Sequence, residues 1–411
     1  LARILRAAGY TVVADNHLGD WGTQFGKLIV AYRRWLNRER YEKAPITELV
    51  ELYQRFVNEE KAQAQTLGIK KPERKGEAEP AKAEEGPSND HDDGDEEADK
   101  LTVTPLLAEA RAELAKLQSG DAENLALWRE FVAVSLREFE RTYKRLDVRF
   151  DVQLGESFYH PRLASLVEEL LQKGVAEHSL GAVICSISSE PAPLLIRKAD
   201  GSYLYGTTDI ATVEHRVKTW NPSRILYVVG APQQMHFRQI FAIARKLGVT
   251  CELEHIPFGT MRFRDETGKW STGSTRKGNV PLLDEFIDES IRRARLVAQS
   301  KNPELAAADL DEVAQVVGIG AIKYNDLSRD RQSDVHFDLD QALALDGNTA
   351  PYMQYAYARL RSIARRAEAE GATPAPTLTL REPAERALAR RLLDYSEAVE
   401  TVVRTARPHH L

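Results

Sequence analysis

The sequence predicts an α/β fold: a parallel sheet with helical crossovers, interrupted by a helical insertion and followed by an all-α region. Three observations carry this expectation. Tyr10-Thr11-Val12-Val13-Ala14 is a β-branched run of the kind a buried parallel strand uses, and it leads through a glycine-rich turn into a helical pattern starting near Gln24. Ile225-Leu226-Tyr227-Val228-Val229 is wholly apolar and is followed, after Gly230-Ala231-Pro232, by a helix with Phe237, Ile240, Phe241 and Ala244 inward, a second strand-to-helix unit. Beyond Asn302-Pro303 the apolar residues recur only at helical spacing.

Each element has its own justification in the residues. Leu28, Ile29, Tyr32, Trp35 and Leu36, then Leu49, Leu52, Tyr53 and Phe56, repeat at helical spacing and predict helices with a core face from Phe25 to about Leu67. Helices resume at Leu106 and run past Trp128 and Phe131 to Tyr143, closing an insertion over about 26–145. Val148-Arg149-Phe150-Asp151-Val152 alternates and predicts the return of the sheet, passing into Gly155-Glu156-Ser157-Phe158-Tyr159. Val183 to Cys185, Leu194 to Arg197 and Ser202 to Tyr205 predict short strands around a Lys-Ala-Asp-Gly turn. In the helical region Val313, Val316, Val317, Gly320, Ala321 and Tyr324 form one continuous face, and Pro351 is suited to a first helical turn. The domain boundary is expected near residue 296, with 1–295 carrying the sheet and 296–411 the helices.

Composition bounds the function. At 411 residues and 43% hydrophobic content the chain can bury a sizeable core. No apolar run approaches the ~18 residues of a membrane helix, and no secretion signal is visible. Cys185 and Cys251 lack metal-motif spacing and are assigned to packing; the ten histidines show no ligand spacing either, so no structural metal is expected. The low cysteine count fits a reducing, cytoplasmic setting. The net charge of −6 is local in origin: residues 71–100 hold twelve acidic and five basic residues, which leaves the other 381 at +1. That acidic linker, over 70–100, has almost no aliphatic residue to bury and is expected to be disordered. Leu1 to Ala8 starts in mid-helix pattern and Thr405 to Leu411 stops without a close, so a fragment of a longer protein is expected.

Four motifs could carry chemistry. The turn Gly19-Asp20-Trp21-Gly22-Thr23-Gln24-Phe25-Gly26 lies at a sheet's carboxyl edge, where open α/β folds hold ligands, although glycine spacing alone fits any tight turn. In Tyr205-Gly206-Thr207-Thr208-Asp209, Asp209 falls in the first turn of a helix; a lone aspartate there is most simply a partner of the helix dipole, worth ~0.3–1 kcal/mol. In Gln233-Gln234-Met235-His236, Gln234 is best read as a helix cap. Phe258-Gly259-Thr260-Met261 precedes Ser271-Thr272-Gly273-Ser274-Thr275-Arg276-Lys277-Gly278, which by composition is an ordinary exposed basic turn.

Together these motifs resemble the arginyl-tRNA synthetases of class I, and the resemblance covers Asp15 to Arg361 apart from the acidic linker. It implies a Rossmann-like parallel sheet with a helical insertion, followed by an all-α anticodon-binding bundle. It implies an arginine pocket at Tyr205, Asp209 and Gln233, where a planar guanidinium meets a carboxylate and an aromatic face. ATP would meet His236, Thr260, Met261 and Gly278. Ser274, Thr275, Arg276 and Lys277 match the mobile signature loop, whose cations and hydroxyls would stabilise charge on pyrophosphate. Thr272 and Gly273 depart from that loop's usual lysine and methionine. Tyr352, Tyr355, Arg359 and Arg361 would meet RNA by stacking and phosphate contact, although most residues of that stretch are expected to serve the core and the caps. The implied substrates are arginine, ATP with Mg²⁺, and tRNA(Arg), handled by a monomer in the cytoplasm. The family's His-x-Gly-His motif occurs nowhere in the 411 residues, and is expected upstream of Leu1. Two rivals stay open: a synthetase-like protein that grips RNA or arginine without catalysis, and a class I synthetase for another amino acid.

Overall fold

The computed structural model describes residues 1–69, 103–264, 270–271, 283–373, 377 and 379–411. The acidic linker and the signature loop from Thr272 to Gly278 lie outside the described residues. The chain divides into two compact units, one of Ala14–Ser223 with Met235–Cys251, the other of Leu1–Val13, Arg224–Gln234 and Glu252–Leu411.

In the first of these units, β1 (Asp15–Leu18) pairs in parallel with β2 (Val152–Gly155), with Asp15 opposite Val152 and Leu18 opposite Gly155. Both strands start later than the β-branched patterns suggest. Tyr10 to Ala14 is no strand, and Tyr10 and Val13 are 54% and 41% exposed. The ladder begins only where Asp151 N–H donates to the Ala14 carbonyl at 2.8 Å, so pairing rather than local propensity sets the strand. Val148 to Asp151 likewise lies ahead of its strand.

Between β1 and β2 come α2 (Thr23–Trp35), α3 (Arg38–Lys43), α4 (Pro45–Thr66), α5 (Pro105–Gln118) and α6 (Ala122–Arg145). Their apolar stripes converge on Ile29, Leu49, Leu52, Phe56, Leu106, Leu117 and Phe131, all at most 4% exposed. Asn37, Thr104 and Asp121 start α3, α5 and α6 as side-chain caps. Gly26 permits the close crossing of α2 and α5, because a Cβ there would sit 2.2 Å from the Ala110 carbonyl oxygen.

After β2, α7 (Glu156–Gln172) buries Tyr159, Leu163, Leu166, Val167 and Leu170 on one face. It packs on α8 (Tyr205–Trp220), and Arg162 ties the pair by donating to Glu214 at 2.8 Å. The intervening β3 (Glu177–Ser179), β4 (Ala182–Cys185) and β5 (Leu194–Arg197) form an antiparallel sheet. Of the expected strand over Ser202 to Tyr205 only a bridge from Tyr203 to Arg197 forms, since Tyr205 already begins α8. The unit also holds α9 (Gln234–Lys246) from Met235 onward, with Phe237, Ile240, Ile243 and Ala244 buried.

The other unit is built on β6 (Arg224–Gly230), paired in parallel along its whole length with β7 (Glu252–Phe258), a strand whose charged residues hide it in the sequence. Helices α10 (Leu283–Lys301), α11 (Ala307–Leu327), α12 (Leu339–Ala342), α13 (Ala350–Ala369) and α14 (Pro383–Thr405) follow. The region beyond residue 302 is not purely helical, because β10 (Val335–His336) pairs with β8 (Met261–Arg264), which also pairs with β9 (Trp270–Ser271). On α11 the buried face is Leu310, Ala314, Gly318, Ala321 and Ile322, not the valine face, and Val316 is 56% exposed. The reason is contact with α10: a Cβ on Gly318 would meet Ile291 Cα at 2.8 Å, and Ser290 Oγ donates to the Gly318 carbonyl at 2.9 Å. The short helix α1 (Ala2–Ala7), with no buried residue, lies against α14.

Candidate active site

The carboxyl ends of β1 and β2 are joined through Asp20. Its Oδ1 accepts from Ser157 N–H at 2.8 Å and its Oδ2 from Ser157 Oγ at 2.6 Å, so this carboxylate caps the first turn of α7 from 137 positions away. Gly155 makes room for it: a Cβ would fall 2.2 Å from Asp20 Oδ2. The Asp20 carbonyl takes the Trp128 Nε1–H at 2.6 Å, and Trp21 packs edge-on to Trp128 at 5.0 Å. The glycine-rich turn of Gly19 to Gly26 is thereby anchored to the helical insertion as well as to the sheet. Glu156, directly before Ser157, is pushed up to about 7 by burial and then by the charges of Asp209 and Asp20.

Tyr205 opens α8, and Asp209 follows one helical turn later on the same face, beyond the first turn in which the sequence pattern places it. Thr207 fixes that turn, its hydroxyl donating to the Ile196 carbonyl of β5. Asp209 Oδ2 lies 2.6 Å from His236 Nε2, near the start of α9. The Tyr205 and His236 rings lie 4.6 Å apart. Two turns beyond Asp209 along α8, Arg216 donates through Nε and a terminal nitrogen to Asp15 Oδ2 at 2.9 and 2.8 Å, with both side chains about nine-tenths buried. This pair fastens α8 to β1 and neutralises the cation, so Arg216 does not oppose a positively charged ligand. Burial holds the His17 ring below the usual histidine range, against the opposing pull of Asp209, Asp15 and Asp20. Asp209 and Asp20 therefore make this region electronegative around an uncharged histidine, and a carboxylate beside an aromatic ring is suited to a planar cation.

The structure thus brings Tyr205, Asp209 and His236 together. It places His236 on Asp209, with its other nitrogen, Nδ1, buried and, among the described residues, without a hydrogen-bond partner. In the second unit Gln233 ends the 3₁₀ turn Ala231–Gln233 after β6 and is half-buried. Thr260 is held by its main chain: its N–H donates to Asp334 Oδ1 at 3.0 Å and its carbonyl accepts from Val335 N–H at 3.0 Å. Met261 opens β8 opposite Val335. Arg331 pins the same corner, since its carbonyl accepts from Gly259 N–H at 2.7 Å and its guanidinium donates to the Pro257 and Ala406 carbonyls. Tyr352, Tyr355, Arg359 and Arg361 are all exposed on α13. At ~100° per residue the first three share a stripe and Arg361 points to the opposite side. Ser274, Thr275, Arg276, Lys277 and Gly278 lie outside the described residues. Among the described residues, no three or more His, Cys, Asp or Glu side chains gather to hold a metal ion, and no helix is long and apolar enough to cross a membrane.

Sequence pattern does not reveal Asp20, Glu156 or the Asp15–Arg216 pair, whose partners are 137 and 201 positions apart. The one local signal is Gly155 directly before an acidic residue and a serine at a helix start.

Residues 1–339 match the family described as the catalytic domain of class I (R) tRNA synthetases, and residues 353–411 match the DALR anticodon binding domain. The chain is 43% identical over 368 residues to the arginine–tRNA ligase of Fusobacterium nucleatum, covering 89% of this chain and 57% of that protein. It is 36% identical over 474 residues to the arginine–tRNA ligase of Rhodopirellula baltica, covering 100% of this chain and 70% of that protein. In fold it resembles the crystal structure of Plasmodium falciparum arginyl-tRNA synthetase, with a TM-score of 0.72 and 23% identity, covering 99% of this chain and 62% of that one. The chain therefore spans between 57% and 70% of the length of these relatives.

Proposed function

The chain belongs to the arginyl family of class I tRNA synthetases, and on that premise we propose that the complete protein activates arginine with ATP and transfers it to tRNA(Arg). A carboxylate oxygen of arginine attacks the α-phosphorus of ATP, the bond to the bridging oxygen breaks, and pyrophosphate leaves. A ribose hydroxyl of the terminal adenosine of the tRNA then attacks the adenylate carbonyl and releases AMP.

Within this reading Asp209 accepts the guanidinium and Tyr205 lies against it, while Gln233 contacts the amino acid. Thr260, Met261 and Gly278 serve ATP, which enters with Mg²⁺ as substrate. Arg276 and Lys277 neutralise the charge that builds on pyrophosphate, with Ser274 and Thr275 as hydrogen-bond donors. Positioning and charge stabilisation suffice for adenylation, so no general base is assigned. Tyr352, Tyr355, Arg359 and Arg361 are assigned to the tRNA; the exposure of the first three along one stripe of α13 supports this for them. The free thiols of Cys185 and Cys251 accord with action in the cytoplasm, where we expect a monomer.

The observation that carries the reading is the Asp209 carboxylate beside Tyr205 in an electronegative region of a chain from this family. Replacing Asp209 by Asn in the complete protein removes a charge-assisted hydrogen bond worth ~1.5–3 kcal/mol, which lowers kcat/KM for arginine by about tenfold to a hundredfold. Affinity for tRNA should stay within about twofold. Steady-state pyrophosphate exchange and tRNA binding test both, and an unchanged kcat/KM for arginine overturns the assignment.

A further inference from the structure

We propose that His236 is a positioning residue for the arginine pocket: it holds the Asp209 carboxylate in the orientation that meets the guanidinium, and it does not contact the nucleotide. The inference rests on the reading of Asp209 as the guanidinium's partner. Its ground is where the two ring nitrogens point. Nε2 is 2.6 Å from Asp209 Oδ2, and Nδ1 is buried with no partner among the described residues, so neither nitrogen is presented to a phosphate or a base.

The ring itself has little freedom. His236 is 7% exposed, lies 4.6 Å from the Tyr205 ring and 5.4 Å from the Phe237 ring, and sits on α9 beside the buried Phe237 and Ile240. A fixed donor makes a fixed carboxylate. Without one, the aspartate side chain is free to exchange rotamers and to turn toward water.

The tautomer follows from the same contacts. A protonated ring would bury an unpaired Nδ1–H, whereas the neutral ring with its proton on Nε2 leaves only an unpaired acceptor. Among the described residues Asp209 Oδ1 carries no hydrogen bond, and Oδ2 retains a second lone pair beside the one His236 uses. The carboxylate can thus accept His236 and a two-pronged guanidinium together. Tyr205 lines the same spot through its ring contact with His236, so one histidine fixes both the charged and the aromatic wall of the pocket.

The test uses the complete protein and three variants assayed by pyrophosphate exchange. His236→Phe keeps a ring of similar shape without the donor and is expected to raise KM for arginine at least about tenfold, with KM for ATP within about twofold. His236→Gln keeps an amide donor and is expected to recover most of that loss. A rise in KM for ATP with arginine unaffected would show a nucleotide contact and overturn the proposal; so would equal behaviour of the Phe and Gln variants. Asp209→Asn, measured alongside, separates the two claims. If Asp209→Asn raises KM for arginine and His236→Phe does not, the positioning role alone fails; if Asp209→Asn has no effect, the guanidinium assignment and this inference fall together. Nitrogen NMR of His236 in the unaltered protein is independent of variant folding: the neutral Nε2–H form is expected with and without arginine, and a charged ring or the Nδ1–H form overturns the proposal.

Discussion

Glu156 shows how much one residue at the sheet edge depends on distant partners. Its carboxyl is pushed up to about 7 from an ordinary 4.5, so between those values the native state keeps a proton that the unfolded chain has released. Native stability therefore falls as pH rises through that window, by up to roughly 3 kcal/mol, since each pH unit is worth ~1.4 kcal/mol. Replacing Glu156 by Gln keeps an acceptor for the Trp21 main chain and removes the ionisation. The variant is expected to match the parent near pH 4.5 and to exceed it increasingly up to about pH 7, as read by urea unfolding at each pH. A constant difference would place the cause elsewhere. Tyr205 and Asp209 were legible in the sequence because they sit four positions apart in one local motif. Asp20, Glu156, Asp15 and Arg216 were not, because the fold alone supplies their partners. His236 lay between: its motif was visible, but its hydrogen bond to Asp209 crosses 27 positions.

At the scale of elements, helices were easier to read than strands or faces. The insertion helices follow from their apolar spacing and caps, whereas β1 and β2 lie several residues beyond the β-branched runs because the ladder between them decides where pairing starts. The α11 face was misread for a related reason: small Gly318 and Ala314 allow α10 to approach, and close approach outweighs the larger valines as a source of burial. The same economy of space governs α2 and α5 at Gly26. Gly26→Ala gains ~1 kcal/mol of helix propensity but drives a methyl against the Ala110 carbonyl, and overpacking of this kind costs ~1–3 kcal/mol. Because the obstacle is main chain, we expect the upper end, a net loss of about 1–2 kcal/mol measured by urea unfolding. Increased stability would mean that the two helices separate freely. The third glycine of the glycine-rich turn is thus a packing residue, which its spacing alone did not disclose.

At the scale of the whole molecule, the unit built on β6 and β7 gathers three pieces of chain, 1–13, 224–234 and 252–411. Its first piece has no fold of its own: α1 is six residues long, buries none of them, and isolated helices shorter than ~12 residues are marginal in water. Its docking partner is α14, near the other end of the sequence. Pulsed hydrogen exchange during refolding should therefore show the Leu5 and Ala8 amides gaining protection together with α14 and later than Ile29 to Ala31 of the insertion core. Protection of α1 as early as that core would overturn the expectation. The insertion, by contrast, lies within the single stretch of chain between β1 and β2 and buries a core of its own. On a translating ribosome the distance between α1 and α14 becomes a delay. At ~5–20 residues per second, roughly 20–75 s separate the emergence of α1 from that of α14, long enough for the insertion bundle to finish folding while α1 waits undocked and available to chaperones and proteases.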